Sequence, residues 1–205
     1  MNSSVSKRQD AEPTPWLQNG AAVRAMHRLE SSSALDRLGT VLSVLSTPLG
    51  AEPVRSLLLG TRTGHALHPV LTDLPIGLWS SATLLDLRGR SSDRRAAQLL
   101  LASGLVSVLP TVATGLAEWR ELDRPESRVG ALHAVLNVGA VTMYAASLRL
   151  RRHDRHSAGV LLSLAATGVA SAAGYLGGHL ATARKVGSRH PAFGYDEVGP
   201  VLRRP

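Results

Sequence analysis

The chain has 205 residues, enough for one domain or one compact membrane bundle with tails, and a formal net charge of +8 from 23 basic and 15 acidic residues. It has no cysteine, which excludes disulfides, thiolate metal sites, iron–sulfur ligation and thiol catalysis within the chain. The basic balance does not indicate nucleic-acid binding: the arginines sit between uncharged runs rather than in one patch, and only 3% of residues are aromatic, too few for a base-stacking platform.

The first dozen residues are rich in serine and charge and are expected to be disordered. They contain no apolar core of signal-peptide length, so insertion into a membrane would rest on later segments. Between residues 20 and 62, Ala22, Met26 and Leu29, then Leu35, Leu38, Leu42 and Leu45, recur at helical spacing with Arg24, Arg28, Asp36 and Arg37 among them. This spacing predicts amphipathic helices lying on a membrane or covering a bundle.

The mean hydropathy of +0.04 hides a concentration of apolar residues after residue 66. Uncharged runs cover residues 96–117, 129–148 and 157–183, which are 22, 20 and 27 residues long. About 20 such residues cross ~30 Å of hydrocarbon as a helix. An earlier segment, 67–87, is weaker, with 12 uncharged residues between Asp73 and Asp86, and spans only if those aspartates lie at the interfaces or face the bundle interior. The expected fold is therefore all-α: an integral membrane four-helix bundle with N-terminal amphipathic helices. Residues 1–62 form the tail and interfacial helices, 63–183 the four spans (67–87, 96–117, 129–149 and 157–181), and 184–205 an irregular tail. A soluble Ala/Leu-rich bundle is the alternative, but these runs lack the charged face such helices carry.

The first and third connections are the richer in arginine, with Arg88, Arg90, Arg94 and Arg95, then Arg149, Arg151, Arg152 and Arg155. The positive-inside rule places them in the cytoplasm of a bacterial plasma membrane and both termini outside, although Arg184, Lys185 and Arg189 argue the other way.

With four spans, residues near the start of the first and third and the end of the second and fourth share one depth. His65, His68 and Asp73, then Glu118, His133 and His179, are thereby expected at one membrane face. Stripes of polar or small residues lead towards them: Ser103, Ser107, Thr111, Thr114 and Glu118; His133, Asn137, Ala140, Tyr144 and Ser147; Ser171, Tyr175 and His179. Ala166, Ala170, Gly174 and Gly178 form a small-residue row expected to pack a neighbouring helix, or to leave room for a flat ligand beside His179. His27, His153, His156 and His190 read as solvated.

Three chemistries suit such a layer. A b-type haem needs imidazoles from two helices on opposite faces of a planar ring; a transition-metal ion would use three histidines with Asp73 or Glu118; a proton or quinone site would use the same groups without metal. Histidines that only anchor helix ends are the plain alternative. No phosphate-binding loop, GxSxG or HExxH occurs, so no catalytic residue is expected. Neither an inverted repeat nor a polar track to the opposite face is evident, which disfavours a transporter.

The stretches "GHALHPVLTDLPIGLW" (64–79), "LPTVATGLAEW" (109–119), "RVGALHAVLNVGAVTMYAASLRLR" (128–151) and "AAGYLGGHL" (172–180) resemble the bacterial membrane-protein family known as domain of unknown function 2231. The resemblance covers about residues 55–190, with Ala66 where the family tends to have proline. It implies a four-span module whose members are sometimes fused to, or encoded beside, a Rieske iron–sulfur domain, which points to electron transfer and suits haem. With no cysteine here, such a partner would be a separate chain. The expectation carried forward is a multi-pass subunit in the lipid bilayer, able to homo-oligomerise. It would bind haem b or a transition metal through His65, His68, His133 and His179, supported by Asp73, Glu118, Asn137, Tyr144 and Tyr175. A structural or assembly protein without cofactor is the alternative.

Overall fold

Pro75 decides how the first long helix is held. In the computed structural model, which describes residues 20–193, seven α-helices follow one another. They are α1 (Ala21–Ser31), α2 (Asp36–Ser46), α3 (Val54–Leu59), α4 (Leu67–Arg88), α5 (Arg94–Glu118), α6 (Arg124–Arg152) and α7 (His156–Gly178). The first dozen residues and the tail from 194 onwards, for which disorder and irregular structure are expected, lie outside the described residues. Pro75 lies inside α4 and has no N–H, so the Leu71 carbonyl one turn earlier loses its helical partner. The Thr111 hydroxyl of α5 lies 3.1 Å from that carbonyl and donates to it, tying the two helices together where the backbone is weakest.

Local chemistry also fixes the helix ends. Gly89 stops α4 in the left-handed conformation, φ 68°, its N–H bonded to the Asp86 carbonyl. Asp123 and Glu126 form a reciprocal capping box at the start of α6. Beyond Gly178 the chain widens into a π-helical turn, His179–Ala183, and then runs through short 3₁₀ turns at Gly187–Arg189 and Pro191–Phe193.

Three stretches are long and apolar enough to cross a membrane: Ser91–Glu121, Arg124–Arg152 and His156–Arg189, which contain α5, α6 and α7. The expectation of four spans is thus met by composition for three. Across its 22 residues α4 carries Asp73, Asp86 and Arg88, and it does not reach the same standard. α4 packs along α5, and α6 along α7; α4 also touches α7, and α5 touches α6.

Large apolar side chains are exposed on the outside of these helices. Leu109, Leu161 and Val138 are 71%, 69% and 67% exposed, whereas Ala82, Ala97, Ala140, Ala166, Ser147 and Ser163 are buried. Small residues inside and branched apolar ones outside are the pattern of helices that meet lipid, where close backbone approach replaces hydrophobic burial as the source of association. The central cluster is built on Trp79, Leu101, Tyr144 and Leu148 with the small alanines.

α1 and α2 lie against α6 at the end of the long helices where α5 finishes and α6 begins. Met26 packs with Val129 and Leu176, and Glu30 turns inward. Ion pairs secure this cap. Arg128 and Arg124 hold Asp36 at 2.7 and 2.9 Å, Arg189 holds Glu126 at 2.6 Å, and Arg55 pairs with Glu121.

Candidate histidine site

His68, near the start of α4, turns towards α5, its Nδ1 3.0 Å from the Thr111 carbonyl and 3.3 Å from the Thr114 hydroxyl. His133, near the start of α6, turns towards α7 in the same way, its Nδ1 2.8 Å from the Ala173 carbonyl. A carbonyl can only accept, so in both rings Nδ1 carries the proton and Nε2 keeps its lone pair. Each ring also faces a glycine one turn beyond the carbonyl it binds. A Cβ at Gly115 would lie 2.8 Å from Cε1 of His68, and one at Gly177 would lie 2.8 Å from Cε1 of His133. Asn137 brings its amide Nδ2 to 3.1 Å from His133 Nε2, whereas His68 Nε2 has no hydrogen bond among the described residues.

The other expected site residues are distributed differently. His179 lies at the same end but faces the cap, its Nε2 3.0 Å from Glu30, which also takes Arg184 at 2.8 Å. His179 keeps α-helical dihedrals and continues the row of Ser171 and Tyr175, whose side chains are exposed, so this row faces away from the bundle interior. His65 is exposed and reaches only the neighbouring Ala66 carbonyl, at 3.3 Å. Asp73 is exposed on α4, and Tyr175 is exposed on α7 with Ser171. Glu118 is buried at the end of α5 close to Ala66 and Gly187, and its Oε1 has no hydrogen-bond partner. Tyr144 is buried a long way from the histidines, and its hydroxyl pairs with Thr167 at 3.0 Å.

The expected gathering of three histidines with a carboxylate around one ion is not found: among the described residues no three His, Asp or Glu side chains are placed to hold a metal. Depth along the bundle brings the groups to one end, but their helix faces separate them into an inward pair, His68 and His133, and an outward group around Glu30. The small-residue row is likewise split. Ala166 is buried and Ala170 half-buried, while Gly174 and Gly178 face outward with open space around them. Contact with α6 is made instead through Gly159, Ser163 and Ala173.

Two further features are absent from the sequence reading. Trp79 of α4 and Tyr144 of α6 stack, their ring centroids 4.0 Å apart and their planes 22° apart. At the far end Arg151 reaches back into the bundle and grips Asp86 through two parallel bonds of 2.7 and 2.6 Å, with side chains 0% and 3% exposed. Arg151 also donates to Ser147 at 3.2 Å and Ser163 at 2.8 Å. Sequence spacing holds a signal for both, since each aromatic and each charged residue follows its histidine by the same interval.

A family model described as a predicted membrane protein (DUF2231) matches residues 64–190, from just before His65 through α4, α5, α6 and α7. No curated protein and no solved structure matches the chain.

Proposed function

The chain belongs to the DUF2231 family of predicted membrane proteins, and we propose that it is a multi-pass subunit of a bacterial plasma membrane that holds a b-type haem between His68 and His133. In this reading it exchanges electrons with a separate redox protein, such as a Rieske-type partner. α4 is the fourth span, supported by its packing along α5 and by the exposed Leu74, Ile76, Leu84 and Leu87 on its outer side. The arginine-rich connections at 88–95 and 149–155 face the cytoplasm. A reporter active only outside the cytoplasm, fused to the C-terminus, checks this orientation: silence would reverse it.

One observation carries the reading. Two imidazoles from different helices have Nδ1 fixed by backbone carbonyls, the arrangement that orients axial ligands; Nε2 of His68 is left as a ligating nitrogen, and Nε2 of His133 becomes one when the Asn137 amide gives up its 3.1 Å contact. A haem held there would supply a one-electron couple. The Thr111 and Ala173 carbonyls set the ring orientations and raise the basicity of each Nε2. Gly115 and Gly177 give the rings room, and Asn137 offers a donor beside them. A lone transition-metal ion fits less well, since it would need a third ligand that the described residues do not bring together.

A structural role is favoured by the same bonds, which lock α4 to α5 and α6 to α7 without any ligand. Visible spectra of the detergent-purified protein, oxidised and dithionite-reduced, with metal analysis, separate the two. The redox reading expects a Soret band with reduced α and β bands in the parent and in His179→Ala, and their loss in His68→Ala and His133→Ala at unchanged helical content. A colourless, metal-free parent, despite haem supplementation during expression, would leave the structural role.

A further inference from the structure

α4 and α6 repeat each other at an offset of 65 positions. Ala66-Leu67-His68 corresponds to Ala131-Leu132-His133, and Val70-Leu71 to Val135-Leu136. Pro75, Trp79 and Ala82 are the buried residues of α4; their counterparts Ala140, Tyr144 and Ser147 are buried in α6. α5 and α7 repeat at an offset of 62. Ala97, Leu101, Gly104 and Thr114 are buried in α5, and Gly159, Ser163, Ala166 and Leu176 are buried in α7. The carbonyls that hold the two histidines, Thr111 and Ala173, correspond, as do Gly115 and Gly177.

Equivalent positions touch in two places. Trp79 stacks on Tyr144, and Asp86 pairs with Arg151. A residue can meet its own counterpart only where a two-fold axis passes between them. The two contacts are seven residues apart, or about 10 Å along a helix, so the axis runs along the bundle. It relates helices that point the same way, which is why no inverted repeat is evident in the sequence.

We infer that residues 64–118 and 129–180 are two copies of one helical hairpin closed around this axis, and that His68 and His133 are the two halves of a single site. That site takes a ligand offering two equivalent, opposed coordination positions at one centre, such as a metalloporphyrin; this part rests on the reading proposed above. Symmetry is broken at the far end, where one copy supplies Asp86, with Ala82 and Leu101 at the positions that correspond to Ser147 and Ser163, and the other supplies Arg151 with Ser147 and Ser163 bonded to it.

An exchange across the axis tests the duplication in the full chain. Asp86→Arg or Arg151→Asp alone places like charges together, and each should lower the detergent thermal midpoint by roughly 10 °C. The pair combined should recover only part of this, because the arginine now at position 86 lacks hydroxyl partners. Adding Ala82→Ser, Ala97→Gly, Leu101→Ser, Ser147→Ala, Gly159→Ala and Ser163→Leu moves its bonded and packed environment across the axis, Gly159 included because a Cβ there would lie 2.6 Å from Arg151 Cγ, and should bring the midpoint to within a few degrees of the parent, or about 2 to 4 °C. An eight-residue exchange no more stable than the two-residue exchange would overturn the duplication. For the site, hemin titration of His68→Ala and His133→Ala should show equal loss of the low-spin spectrum, with either restored by added imidazole. Unequal loss would overturn the equivalence of the histidines. Failure of the parent to bind hemin would remove the haem reading, while the exchange series still decides the duplication.

Discussion

Replacing Thr111 by valine should cost stability only while Pro75 is present. The Leu71 carbonyl lacks a helical donor because position 75 has no N–H, and the Thr111 hydroxyl, 3.1 Å away, is its donor on the neighbouring helix. The same hydroxyl lies 2.9 Å from the Ser107 carbonyl, but that oxygen keeps the helical N–H of residue 111 and loses little. Thr111→Val is close in shape, so the main loss is one inter-helix hydrogen bond. Such bonds are worth about 0.6 kcal/mol on average within membrane bundles and about 1 kcal/mol in soluble proteins. A carbonyl left without any partner inside the bundle raises the cost to about 1–3 kcal/mol. At ~2–4 °C per kcal/mol for a chain of this size, the midpoint should fall by about 2–12 °C. Pro75→Ala supplies the missing N–H to Leu71, while also changing packing at a buried position, so the comparison requires a double-mutant cycle. In the Pro75→Ala background, Thr111→Val should be nearly neutral, a coupling of about 1–3 kcal/mol. Equal costs of Thr111→Val in both backgrounds, measured by circular dichroism in one detergent, would refute the assignment.

Two further outcomes follow from the ends of the bundle. Burial raises the Glu30 carboxyl, but Arg184 and His179 outweigh it and hold it below the ordinary value of 4.5; Arg128 and Arg124, against a small effect of burial, hold Asp36 below 3.8. Lowered folded values mean that the cap's ion pairs stabilise fully above the ordinary carboxylate range and are lost as pH falls below it, so hydrogen exchange in α1 and α2 should rise below about pH 4; Glu30→Gln with Asp36→Asn should abolish that acid step, and a step that persists would assign it elsewhere. Gly177→Ala brings a Cβ within 2.8 Å of His133 Cε1, whereas Gly174→Ala enters open space. Hemin affinity should fall at least tenfold in the first, about 1.4 kcal/mol, and stay unchanged in the second.

The long helices are legible in the sequence because uncharged runs mark lipid-facing segments; His133 sits one turn inside such a run, whereas His68 precedes Asp73 at the start of the weakest span, and nothing in the spacing separates these two from His65 and His179. What escapes depends on rotation about the helix axis. Ser171, Tyr175 and His179 share one face of α7, but it is the outward one, and the buried face holds Ser163, Ala166 and Ala173 instead. Glu30, the partner of His179, lies 149 residues earlier in the chain, beyond the reach of any local pattern. Arg151 reads as a loop arginine because the uncharged run stops at Leu148, although α6 continues to Arg152 and turns that side chain back onto Asp86. Comparing α4 with α6 in parallel would have exposed it, since Asp86 and Arg151 stand at the same distance after their histidines.

That distance also divides labour within the bundle. In lipid, apolar surface does not drive helices together, so the pairing of two hairpins rests on close packing and on a few polar contacts. The imidazole–carbonyl bonds act within each hairpin, His68 to α5 and His133 to α7. Besides the packing of α4 on α7 and of α5 on α6, the hairpins are joined across the axis by the Trp79–Tyr144 stack and the Asp86–Arg151 pair, one at mid-depth and one at the far end. An ion pair with both side chains almost fully buried has a definite register, because a shift of one turn would strand each charge without a partner. The far end therefore fixes the register in which the two hairpins meet, and the cap's ion pairs on Asp36, Glu30 and Glu126 secure the histidine end.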